Sequence, residues 1–77
     1  MAREVDLDEL LLSPRAVFGW LAKVRESAVA LEGVNPQLIP DERARINDDG
    51  TLTIFVEIPG IITISMEVPR GDWAYRQ

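Results

Sequence analysis

Thirteen acidic and eight basic side chains in 77 residues give a net charge of −5. This is one domain's length of chain, with a core of modest size. With neither cysteine nor histidine, disulfides and the usual zinc sites are excluded, and the acidic balance disfavours affinity for nucleic-acid phosphates or anionic lipid. Seven of the basic residues are arginine, read here as the mark of a GC-rich coding sequence, bacterial or from a mobile element.

Residues 1–5 read as a flexible arm. Asp6 with Glu9 three residues on fits a capping box, so a short helix is predicted over Leu7 to Leu12. Ser13 then serves as N-cap, with Pro14 at the first helical position, where its missing N–H costs nothing. Pro14 also disfavours a helical Ser13, so the helical half, residues 6–32, kinks or splits there. The main helix is predicted from Pro14 to Leu31, with Gly33 as its stop.

On that helix Val17, Trp20, Leu21, Val24, Ala28 and Leu31 form a stripe predicted to lie on the sheet. Phe18, Ala22 and Val29, interrupted by Arg25, form a second stripe beside it. The two exceed what one sheet can cover, so either other segments shield the surplus or it contacts protein, as a homodimer or with a partner. Residues 33–41 read as an extended linker, with Leu38 and Ile39 plugging the end of the core.

Residues 42–69 read as a β-meander. In TLTIFVEIPGIITISMEVP, Leu52, Ile54, Val56 and Ile58 share one face, as do Ile62, Ile64, Met66 and Val68. Period-two alternation rich in β-branched residues marks half-buried strands, and the two apolar sets must meet on one face. Pairing Ile58 with Ile62 achieves this; pairing Ile58 with Ile61 would set Thr63 and Ser65 in the core. The connection is therefore odd in length, Pro59-Gly60-Ile61, and Pro-Gly prefers a type II turn. Asn47 to Thr51 reads as a three-residue hairpin loop with Gly50 left-handed. That sets Ile46 opposite Leu52, Ala44 opposite Ile54, and Arg43 and Arg45 on the other face with Phe55, Thr53 and Glu67. An ion pair of Arg43 or Arg45 with Glu57 or Glu67 is expected there. In the tail, residues 70–77, Trp73 and Tyr75 alternate and suit a fourth edge strand or a packed tail.

The chemistry-bearing patterns are weak. Arg70-Gly71-Asp72 matches an integrin tripeptide, but turn chemistry explains it. Asp48-Asp49-Gly50 lacks the ligand spacing of an EF-hand. Glu57 and Glu67 share a face without being cross-strand partners, and nothing suggests a pocket raising either pKa. No nucleophile–base pair, phosphate loop or metal cluster is evident, so the chain reads as non-enzymatic, without cofactor or metal.

Residues 49–60, DGTLTIFVEIPG, resemble the strand-plus-PG segment of small heat-shock domains. Those domains need many more strands than this chain supplies, and no family is assigned on this basis. The sequence therefore predicts an α+β fold, with an N-terminal helix packed on a three-stranded antiparallel meander. It predicts protein-interface residues at Phe18, Ala22, Arg25, Val29, Arg43, Arg45 and Phe55. The expected role is a cytoplasmic, homodimeric protein-binding module of phage or plasmid type, an accessory protein or inhibitor acting on a host protein. The alternatives are an antitoxin-like regulator linked to nucleic acid, and a structural subunit of a larger assembly.

Overall fold

A computed structural model describes residues 2–76. The alternating runs form β4 (Leu52–Ile58) and β5 (Ile62–Val68), paired antiparallel with Ile58 opposite Ile62, Val56 opposite Ile64, Ile54 opposite Met66 and Leu52 opposite Val68. This is the register that brings both apolar sets to one face. The Ile61 N–H donates to the Ile58 carbonyl at 3.0 Å, and Gly60 has φ +78°, as the third residue of a type II turn requires.

Strand β3 (Arg43–Ile46) lies on the other side of β4, with Ala44 opposite Ile54 and Ile46 opposite Leu52. Its loop closes through Gly50 N–H to Asn47 O at 3.0 Å and Asn47 N–H to Thr51 O at 2.9 Å. Gly50 takes φ +88°, the left-handed position of a type I turn plus bulge.

The sheet gains a strand that the sequence reading treats as an arm. Residues Arg3–Asp6 are β1, paired with β3 so that Val5 faces Ala44. Only Val5 of these residues is buried. The pairing sets Glu4 and Asp6 beside the arginines of β3, and this attraction substitutes for an apolar pattern. The sheet order is β1-β3-β4-β5.

The helix predicted over Leu7 to Leu12 is also corrected. Glu9 does accept the Asp6 N–H at 3.0 Å, yet the helix is a single 3-10 turn over Leu7–Glu9. Leu10–Leu12 form β2, which pairs with β6 (Trp73–Tyr75) in a separate two-stranded sheet. The tail is therefore a strand, joined to the N-terminal segment and not to the edge of the meander. Arg3 reinforces the closure, donating to the Tyr75 hydroxyl at 2.9 Å with its guanidinium 5.5 Å from the ring centroid.

The main helix, α1 (Pro14–Glu26), starts as expected: the Ser13 hydroxyl accepts the Ala16 N–H at 3.1 Å and Pro14 occupies the first turn. It does not run unbroken to Leu31. Ser27 has ψ near 2° and its hydroxyl donates to the Lys23 carbonyl, a local bond that competes with regular helix. One further turn, α2 (Ala28–Leu31), follows, and Gly33 has φ +82° just beyond it.

Helix α1 covers the apolar face of the sheet with a face rotated from the predicted one. Ala16 and Trp20 are buried and Val24 and Leu31 are partly so, whereas Val17 is 40% and Leu21 50% exposed; Ala28 is also exposed. The cause is close approach: a Cβ added to Gly19 would sit 3.0 Å from the Met66 sulfur. Small residues at positions 16 and 19 therefore turn toward β5. Beneath the helix, Leu52, Ile54 and Val68 are fully buried, each contributing roughly 1.5–3 kcal/mol. In the linker, one 3-10 turn spans Pro36–Leu38; Ile39 packs on the core, but Leu38 remains 69% exposed and plugs nothing.

Candidate protein interface

The predicted interface residues fall into two groups on opposite sides of the sheet. Phe18, Ala22 and Arg25 project from α1, and Val29 from α2, all exposed and away from the sheet. Phe18 is 70% and Val29 82% exposed, so neither the N-terminal segment nor the tail covers them. Leu21 lies three residues after Phe18 and four after Val17, both helical spacings, and the exposure of Leu21 and Val17 extends the apolar surface. They were missed because both were assigned to the core stripe; Ala16 and Gly19, small enough to admit β5, were the available signal for the rotation.

Arg43, Arg45 and Phe55 lie on the open face of the sheet, with Arg43 and Phe55 as cross-strand neighbours. The Arg45 guanidinium stands 5.5 Å from the Phe55 ring centroid, a cation–π contact that shields a half-buried ring. Arg43 does not pair with Glu57 or Glu67 as expected. Its guanidinium binds Glu4 at 2.7 Å and Asp6 at 2.6 Å. The sequence places Glu4 in a flexible arm and Asp6 at a helix cap, so neither is expected as a partner of Arg43. Glu57 faces Thr63 and Glu67 faces Thr53, which keeps the two carboxylates apart. The face therefore sets acids on both flanks of its two arginines, a poor surface for a phosphate backbone.

The weak motifs are absorbed by the fold. In the 3-10 turn Arg70–Asp72, the Asp72 carbonyl accepts the Ser13 N–H at 2.8 Å and its carboxylate lies 3.7 Å from Arg15. The Asp49 carboxylate accepts both the hydroxyl and the N–H of Thr51, and these bonds hold its pKa below the ordinary value. An open depression of about 590 Å³ is lined by Asp6, Leu7, Asp8, Pro40, Asp41 and Glu42. Among the described residues, however, no group of three or more acidic side chains is spaced to hold a metal ion. Among the described residues no helix is long and apolar enough to cross a membrane.

Compared with known protein families, curated proteins and solved structures, the chain matches none.

Proposed function

We propose that this chain is a non-enzymatic protein–protein interaction module, homodimeric, and of the kind that phage or plasmids use as an accessory protein or inhibitor of a host protein in the cytoplasm. The observation that supports it is the apolar surface left uncovered on α1 and α2: Phe18, Leu21 and Val29 are each at least half exposed. A chain this small has little apolar surface to spare from its core, and the exposure of Phe18 beside Leu21, its i+3 neighbour, is the kind of apolar patch that marks a contact site.

The test is sedimentation equilibrium of the wild type beside Phe18→Glu and Val29→Glu, followed by capture of a host protein on each immobilised variant. Loss of self-association or of capture in the variants supports the reading. If oligomeric state and capture are both unchanged, the helical surface is not the contact. The antitoxin-like alternative has less support, because Arg43 is already neutralised by Glu4 and Asp6.

A further inference from the structure

We infer that two copies of this chain join through the open edge of β5, continuing the sheet antiparallel across a two-fold axis at Ser65. This rests on the reading of the chain as a homodimer; it uses Ala22 of the helical surface and leaves Phe18, Leu21 and Val29 for the other protein.

The two edges of the sheet differ. Strand β1 carries charges at Arg3, Glu4 and Asp6, a common protection against edge pairing. Strand β5 is seven residues long, has Glu67 as its only charge, and contains no lysine or proline. No strand pairs with its outer side among the described residues.

Which of its backbone groups point outward follows from the loop geometry. The Asn47 N–H bonds the Thr51 carbonyl, so by alternation Thr53 and Phe55 direct their N–H and C=O groups to β3. Leu52, Ile54 and Val56 then direct theirs to β5 and are answered by Val68, Met66 and Ile64. The N–H and C=O groups of Thr63, Ser65 and Glu67 face the open edge.

An axis at Ser65 pairs Ser65 with Ser65 of the second copy and Thr63 with Glu67 of the second copy, so all three sets of outward groups bond. Moving the axis to Met66 sets Thr63 opposite Pro69, which has no N–H. Moving it to Ile64 sets Glu67 opposite Ile61, whose N–H is committed to the Ile58 carbonyl. In the Ser65 register Ile64 meets Met66 and Ile62 meets Val68 on the covered face, and the single acid of β5 meets a threonine.

The helix complements itself under the same axis. Helix α1 runs antiparallel to β5: Arg15, Ala16 and Gly19 line one groove with Met66, Val68 and Asp72. Arg15, Gly19, Ala22 and Glu26 follow one another at helical spacing along that side. A two-fold turns Arg15 of each copy toward Glu26 of the other, with the small residues between them.

The experiment uses the axial position. Ser65 is exposed and its N–H is outside the β4–β5 ladder, so Ser65→Lys and Ser65→Glu retain the fold, checked by circular dichroism. Each variant alone places like charges together at the axis and weakens dimerisation by about two- to fivefold, whereas an equimolar mixture restores the dimer. In the wild type the amides of Thr63, Ser65 and Glu67 exchange slowly at dimer concentrations and fast on dilution. A wild type that sediments as a monomer throughout overturns the homodimer reading itself. A wild-type dimer whose Ser65 variants associate as tightly, whose mixture fails to recover, or whose three amides exchange freely overturns the β5 edge alone.

Discussion

Gly19 of α1 meets the Met66 thioether of β5 so closely that a methyl group on its Cα would lie 3.0 Å from the sulfur. This contact sets the rotation of the helix and so decides which apolar side chains are left outside. Gly19→Leu overpacks it and lowers stability by about 1–3 kcal/mol, read from urea unfolding. Gly19→Ala changes stability far less, because helix propensity gains about 1 kcal/mol while the flexible thioether yields.

Gly50 holds φ +88° with the Arg70 side chain 2.9 Å from where a Cβ would stand, and its carbonyl accepts the Trp73 indole N–H at 3.0 Å. Gly50→Ala therefore destabilises by about 1–2 kcal/mol from the left-handed backbone alone. The displaced loop also disturbs the Trp73 bond, seen as a shift in tryptophan emission.

Asp49 titrates below the ordinary carboxylate range because the Thr51 hydroxyl and then its N–H favour the ionised form. A depressed folded pKa stabilises the protein above the unfolded pKa, and this is lost as pH falls through the folded one. Thr51→Val moves the Asp49 midpoint upward, measured by carboxyl carbon NMR. It also narrows the acidic stability difference between pH 5 and pH 2 relative to the wild type.

Arg43 bridges Glu4 and Asp6 across the β1–β3 ladder, but all three side chains are more than two-fifths exposed. Solvent screening holds the loss in Arg43→Met to about 1 kcal/mol or less. The effect concentrates on β1: the Val5 amide exchanges faster, and raising salt in the wild type reproduces part of the change.

The meander was legible in the sequence because parity admits one solution. Only the Ile58–Ile62 register keeps Thr63 and Ser65 out of the core, and Pro59-Gly60 and Asp49-Gly50 supply the turns it needs. The caps at Ser13 and Asp6 were legible for the same local reason. The strand Leu10–Leu12 was not, because Leu-Leu-Leu after a capping box reads as helix until its partner Trp73–Tyr75 is known. Likewise β1 has one buried residue, Val5, and the arginine that draws its acids in stands 39 and 37 residues away. The candidate interface was legible as a surplus of apolar helix surface. Its extension to Val17 and Leu21 was not, since periodicity fixes which residues share a face and leaves open which face turns inward.

The pairing of Leu10–Leu12 with Trp73–Tyr75 also orders events during synthesis. A chain emerging from the ribosome N-terminus first exposes Leu10, Leu11 and Leu12 early, while the strand that covers them is made only after the whole meander has followed. The hairpins joining β3, β4 and β5 are local and close early; the β2–β6 closure joins segments on either side of the meander and comes late. Until then the leucine run stands open, and that interval is when a nascent chain of this protein is most exposed to chaperones and to its own neighbours.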